Sequence, residues 1–179
     1  INFSFFTEID DGEGWSLIMY FKITQETINL IQSGAELPPA LKLLQAYCKE
    51  APDSFTEFGC STKNPWTSRF KAIARIEHIE EYNLPNFITS WNSKPVLIRR
   101  TGTLLRGEHY LEMDVNIHRW GNLGRQAISA LFSRFGQMVN AIGFCIESTT
   151  DEEMPENLFG CGKVIKLDPV NAVKWEDLE

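Results

Sequence analysis

The stretch that decides the fold is GTLLRGEHYLEMDVNIH, residues 102–118, in which two apolar runs flank the turn Arg106-Gly107-Glu108. Its second arm alternates strictly between apolar and polar residues, as expected of a strand with one buried face. The apolar face holds Leu111, Met113, Val115 and Ile117, and the polar face holds Tyr110, Glu112, Asp114, Asn116 and His118. We therefore predict a β-hairpin with arms at residues 94–105 and 109–118.

A helical pattern follows the hairpin. Gly121 breaks the strand, and Asn122 offers an N-cap for the next element. Apolar residues then recur every three or four positions, which predicts one long amphipathic helix over residues 122–142; they are Leu123, Ala127, Ile128, Leu131, Phe135, Met138 and Ile142.

The rest of the chain favours strands and two short helices. Strands are predicted at residues 2–8, 15–23, 69–76, 144–147 and 162–167, and helices at residues 24–32 and from Pro38-Pro39 onward. The fold class predicted is α+β, with a curved antiparallel sheet packed in two layers on the long helix. A START-like helix-grip arrangement is the finer expectation. The 179 residues fit one domain, and a start at Ile1 without Met predicts a segment of a longer chain.

Charge is distributed in three blocks. Residues 1–60 hold nine acids and three bases, residues 61–143 eleven bases and six acids, and residues 144–179 nine acids and three bases. The basic centre suits an anionic partner, such as a phosphorylated headgroup or an acidic protein, or it simply solvates a sheet and a helix. A pI near 5.1 argues against nucleic acid as a partner. The candidate headgroup-binding residues are Arg99, Arg100, Arg119, Arg125 and Arg134.

Catalytic signatures are absent from the sequence, which carries neither H-E-x-x-H, G-x-S-x-G nor G-x-G-x-x-G. The polar strand face of Tyr110, Glu112, Asp114 and His118 suits acid–base or metal chemistry if its side chains converge. A solvated face, or pairing with Arg99 and Arg100, is the plainer alternative. We expect no enzyme, no cofactor and no metal. Four widely spaced cysteines indicate a reducing compartment, inside the cell.

Several blocks together resemble the C-terminal domain of the plant ENHANCED DISEASE RESISTANCE proteins. They are WSLIMYF (15–21), SRFKAIARI (68–76), KPVLI (94–98), YLEMDVNI (110–117), FCIE (144–147) and MPENLFG (154–160). The resemblance spans nearly the whole chain and supplies no catalytic residues. Asn116 stands where the family commonly has Asp. The family's usual N-terminal piece would precede Ile1.

The resemblance implies a membrane setting, because in the plant proteins this domain follows a phosphoinositide-binding module and a START lipid-transfer module. The first hypothesis is therefore a noncatalytic module that binds a lipid or other hydrophobic ligand at the cytosolic face of a membrane. The second is a structural subunit that docks in a larger protein assembly. Its anchors would be the large aromatic residues favoured at interfaces, namely Trp66, Trp91, Trp120 and Trp175.

Overall fold

Two antiparallel sheets and several helices make up the part of the chain that the computed structural model describes, which is residues 14–51, 65–99 and 101–178. The helices are α1 (Gln25–Gln32), α2 (Pro39–Glu50), α3 (Asn86–Thr89) and α4 (Asn122–Phe132). The strands are β1 (Phe70–Ile76), β2 (Pro95–Leu97), β3 (Gly102–Arg106), β4 (Leu111–Val115), β5 (Val139–Ile146) and β6 (Gly160–Ile165). The predicted α+β class with an antiparallel sheet is confirmed.

The larger sheet has the strand order β2-β1-β5-β6, and the smaller one is the hairpin β3–β4. In the larger sheet β1 and β5 pair along their lengths, from Phe70 opposite Ile146 to Ile76 opposite Asn140. The predicted hairpin around residues 106–108 is confirmed, with Arg106 opposite Leu111. Its first arm is shorter than predicted, because residues 95–97 pair with β1 instead.

The predicted long helix over residues 122–142 is wrong. α4 ends at Phe132, a 3₁₀ turn follows at Phe135–Gln137, and Val139–Ile146 forms β5. Gly136 lies where the helix would continue, and glycine in a helix interior costs about 1 kcal/mol relative to alanine. The apolar spacing is ambiguous here, and pairing of β5 with strands on both sides decides for a strand.

Apolar side chains form two buried clusters at opposite ends of β1. The first joins α2, the larger sheet and the hairpin, and consists of Leu43, Tyr47, Ala51, Phe70, Ile98, Leu104 and Ile146. The second joins α3 and α4 to the far end of β1, and consists of Ile76, Ile88, Leu131, Phe135 and Met138. Helices therefore cover the two ends of the sheet, where one long helix was expected to cross it.

An extended segment crosses the same sheet over β6. Residues 15–23 were predicted to form a strand, but they form no ladder with the described strands. The Phe21 ring lies edge-on to Phe144, and its atoms come within 3.3 Å of where a Cβ on Gly160 would stand. Met19 Cε would come within 2.9 Å of a Cβ on Gly162. These glycines let the segment approach the backbone closely. The strand predicted at residues 2–8 lies outside the described residues.

The two N-terminal helices begin and end as the sequence predicts. Thr24 caps α1 by accepting a hydrogen bond from the Thr27 N–H, and Gly34 follows its end with a φ of +68°.

The end of α2 is fixed by the hairpin. Arg106 donates from Nε to the Cys48 carbonyl at 2.8 Å and from Nη2 to the Ala51 carbonyl. A guanidinium at a helix C-terminus satisfies unpaired carbonyls and complements the helix dipole.

We expect Tyr47→Phe to leave the free energy of unfolding unchanged or to raise it by about 1 kcal/mol. The Tyr47 side chain is fully buried, and its hydroxyl has no hydrogen-bond partner among the described residues. Burial also raises its pKa. Removing an unsatisfied buried hydroxyl removes a desolvation cost. Urea denaturation measures the change. Tyr82→Phe is the control, and should lose about 0.5–1.5 kcal/mol, because Tyr82 donates to the Gln137 carbonyl at 3.2 Å. A loss of more than 1 kcal/mol in Tyr47→Phe would contradict the assignment.

Candidate functional site

Five charged side chains meet where β1 begins and β5 ends, and we call them the ionic clasp: Arg69, Lys71, Glu147, Glu153 and Glu156. Arg69 is 5% exposed. Its guanidinium donates from Nε to the Glu147 carbonyl at 2.7 Å, pairs with the Glu153 carboxylate, and lies 4.2 Å from the centre of the Trp66 ring. A charge this deeply buried requires such partners.

Lys71 forms the second half of the clasp. Its ammonium donates to both oxygens of Glu156, at 2.8 and 2.9 Å, and lies 3.5 Å from Glu147. Glu156 also accepts from the Ser148 N–H at 2.9 Å. Glu153 accepts from the Thr149 N–H at 2.7 Å. The loop at residues 147–159 is therefore fastened to β1 at two points.

The pKa values of the clasp follow from this pairing. Burial alone would raise the pKa of Glu153 and of Glu156, but hydrogen bonds from N–H groups and from the two bases outweigh it and lower both. For Lys71, burial opposes the charged form, yet Glu156 and Glu147 together raise its pKa. All three groups are therefore held in their charged forms at neutral pH.

We expect the clasp to make the protein sensitive to acid. A carboxylate whose pKa is lower in the folded state stabilises the fold above its unfolded pKa, which is 4.5 here, and that stability is lost as pH falls through the folded value. The free energy of unfolding should therefore fall steeply below about pH 4.5. Glu156→Gln should make that fall shallower, whereas Glu176→Gln, at an exposed position, should not. Denaturant titrations between pH 3 and 7 check this, and equal slopes in the two variants would contradict it.

The chemistry of the clasp is structural. Its two bases and three acids are engaged with one another or with backbone groups, so they fix the loop in place. The Cys145 thiol lies 3.9 Å from Glu156. Burial and that carboxylate raise its pKa. Cys145 is buried, and a raised pKa disfavours the nucleophilic thiolate.

An apolar groove of about 250 Å³ lies beside the loop that the clasp fastens. We call it the helix groove. α1 and α2 form one side, and the end of β5 and residues 157–159 form the other. Its lining is mainly aliphatic and aromatic, with two neutral polar residues, and consists of Thr27, Pro38, Ala40, Leu41, Leu43, Leu44, Ile146, Asn157, Leu158 and Phe159. Leu158 and Phe159 are 52% and 40% exposed, so the wall of the groove reaches the surface.

The arginines predicted to bind a headgroup lie on other elements than those lining the helix groove. Arg99 is exposed after β2, and Arg119 is exposed in the 3₁₀ turn at Ile117–Arg119. Arg125 donates to Asn122 at 2.5 Å within α4, and Arg134 donates to the Tyr82 carbonyl at 2.7 Å. Arg100 lies outside the described residues. The structure does not bring the four described arginines together on one element.

The polar strand face is shorter than predicted. β4 ends at Val115, and Asn116 caps the following 3₁₀ turn by accepting from the His118 N–H at 2.9 Å. His118 therefore leaves the strand that carries Glu112 and Asp114, and the prediction that they share one strand is wrong. Both acids and Tyr110 are exposed. Within the described residues, no group of three or more His, Cys, Asp or Glu side chains is placed to hold a metal ion.

The tryptophans proposed as interface anchors occupy different settings. Trp66 is half-buried between Arg69 and Tyr47, whose ring centre is 6.4 Å away. Trp91 is 60% exposed, with the Lys94 ammonium 5.9 Å from its ring centre. Trp120 is half-buried against Gly124. The side chain of Trp175 lies outside the described residues.

Sequence reasoning missed both the clasp and the groove. Arg69 and Lys71 flank Phe70 at the start of an apolar strand, and a base that alternates with buried residues there is the signal that could have found them. The groove has no sequence signal of its own, because its lining comes from four separated parts of the chain.

A comparison with protein-family models finds a match over most of the chain. A family model described as Protein ENHANCED DISEASE RESISTANCE 2, C-terminal, matches residues 1–168. The chain belongs to this family. Neither a curated protein nor a solved structure matches it. None of the helices described here is both long and apolar enough to cross a membrane.

Proposed function

We propose that this domain is a noncatalytic module that binds an apolar ligand in the helix groove. The observation that supports the proposal is the groove itself, whose aliphatic and aromatic lining opens to the surface between two helices and a loop. Small-molecule sites are typically concave and largely apolar, with a few polar groups that orient the ligand. The helix groove has these features.

The ionic clasp supports the same proposal, because it gives the groove a fixed wall. Glu156 directly precedes Asn157, Leu158 and Phe159, which line the groove, and Lys71 holds Glu156 through both of its oxygens. The Phe159 ring also packs on Phe70 and Phe144, with ring centres 5.8 and 6.4 Å away. A preformed wall lowers the entropy cost of ordering the site when a ligand binds.

A START-like helix-grip fold is the finer proposal for the architecture. It rests on the twist expected of antiparallel strands and on the packing of α2 against the larger sheet. The helix that would be gripped is α2, since Leu43 and Tyr47 on α2 share a buried cluster with Phe70 and Ile146 on the sheet.

A groove-filling variant tests the proposed function. Ala40 is half-buried and lines the groove, so Ala40→Phe should occupy the space while adding apolar contacts. We expect it to weaken binding of a fluorescent fatty-acyl probe at least tenfold, with unchanged thermal stability. Gln45→Phe is the matched control, because it adds the same side chain at an exposed position of α2. Equal probe affinity in both variants would place binding elsewhere.

A docking role in a larger assembly is the second candidate. The observation that favours it is the outer side of residues 14–23, where Ile18, Tyr20 and Ile23 are 51%, 93% and 60% exposed. Contiguous exposed apolar residues mark interaction surfaces. Under this proposal, Ile18→Ser with Tyr20→Ser should abolish self-association or complex formation in sedimentation velocity. Unchanged sedimentation of an assembly that contains the variant would contradict it.

A further inference from the structure

From the size and polarity of the helix groove we infer that its ligand is a single acyl chain ending in an uncharged hydrogen-bonding group, such as a monoacylglycerol. This inference rests on the proposed function and specifies the ligand class for that site. It departs from the expectation of an anionic headgroup bound by arginines.

The volume limits the ligand to one chain. Pockets that enclose a drug-sized molecule hold roughly 300–1,000 Å³, and the helix groove holds about 250 Å³. The groove is thus smaller than a typical pocket for a drug-sized molecule, and we assign it one acyl chain rather than the two of a phospholipid. One chain can lie along the leucines of α2 and against Phe159, with its end open to the surface.

The polar groups in the groove are neutral. Thr27 Oγ1 lies 3.0 Å from Thr24 Oγ1 and retains acceptor capacity. The Asn157 amide makes a long contact, 3.4 Å, to the Pro155 carbonyl, which leaves its oxygen and its second N–H for another partner. A hydroxyl and an amide match a glycerol or alcohol end group. A phosphate taken from water into such surroundings would lose hydration without gaining an opposite charge.

Two lysines on elements that build or flank the groove are engaged in ion pairs. Lys42, on α2, pairs with Glu36 at 2.7 Å, and Lys71, beneath the loop, pairs with Glu156. The described arginines predicted to bind a headgroup lie on α4, after β2, in the 3₁₀ turn at Ile117–Arg119 and in the turn after α4, whereas the groove is built from α1, α2, β5 and the loop before β6. These four arginines are thus on elements other than those that line the apolar site.

Titration calorimetry with three probes of equal chain length tests the inference. The probes are 1-dodecanoylglycerol, dodecanoate and dodecyl phosphate, each below its critical micelle concentration. We expect the glycerol ester to bind the intact chain at least tenfold more tightly than either anion, and Ala40→Phe to weaken it at least tenfold relative to Gln45→Phe. Shortening the acyl chain of the probe by one methylene should weaken binding about fourfold, provided that the removed methylene lies in the groove.

Asn157→Lys sharpens the test, because it adds a cation at the exposed rim without removing a buried side chain. It should reverse the preference, so that dodecyl phosphate binds more tightly than the glycerol ester. If dodecyl phosphate already binds the unmodified chain as tightly as the ester, the ligand-class inference is overturned and the proposed function stands. If none of the three probes binds, both are overturned.

Discussion

Replacing Arg69 by alanine is expected to lower the free energy of unfolding by about 3 kcal/mol. Arg69 is 5% exposed and is the partner of Glu153, so the variant leaves a carboxylate without its cation. Removing one partner of a buried pair typically costs about 3–5 kcal/mol. We expect a loss at the lower end of this range, because the Glu153 side chain is 24% exposed and water can hydrate its carboxylate when Arg69 is absent.

Guanidinium chloride denaturation measures this loss, with Arg75→Ala as the control on β1, the strand that Arg69 directly precedes. Arg75 is exposed, and its replacement should change stability by less than about 0.5 kcal/mol. A double-mutant cycle of Arg69→Ala with Glu153→Ala should show a favourable coupling energy between the two side chains. A coupling energy near zero would mean that Arg69 acts through Trp66 and the Glu147 carbonyl alone.

Replacing Phe135 by alanine is expected to cost about 3–5 kcal/mol, because the ring is buried in the second cluster and its removal leaves a cavity. Its ring centre lies 6.3 Å from that of Phe132 in an edge-to-face arrangement. Thermal and chemical unfolding both report the change. Phe87→Ala is the matched control at a position that is 37% exposed, and a loss in Phe135→Ala no larger than in this control would contradict the packing described.

The elements predicted correctly from the sequence are those whose signals are local. The hairpin of β3 and β4 has strict alternation and a Gly-containing turn, and α1 has a Thr cap and a terminal Gly. The 122–142 helix was wrong because residues 133–142 satisfy a helical spacing almost as well as a strand spacing. The strand conformation of residues 139–142 is decided by pairing with β1, which ends more than 60 residues earlier.

The candidate site was predictable in part. The sequence blocks that resemble the family already contained Arg69, Lys71, Glu147 and Glu156. Their positions along the sequence do not reveal that the four side chains converge. Convergence depends on the register of β1 with β5 and on the path of the loop after β5. The predicted polar strand face was wrong because of a local interaction rather than a distant one. Asn116 caps a turn with its own side chain, a local competition that ended the strand before His118.

The pairing of β1 with β5 also affects how the chain folds during synthesis. Ile76 ends β1, and Val139 begins its principal partner, so β1 emerges from the ribosome long before β5 exists. At roughly 5–20 residues per second, the intervening stretch takes about 3–13 s to make. Of the two described strands that pair with β1, only β2 is synthesised during that time. Contacts between residues far apart in sequence slow folding, so we expect slow refolding and a nascent chain that depends on chaperones until β5 has been synthesised.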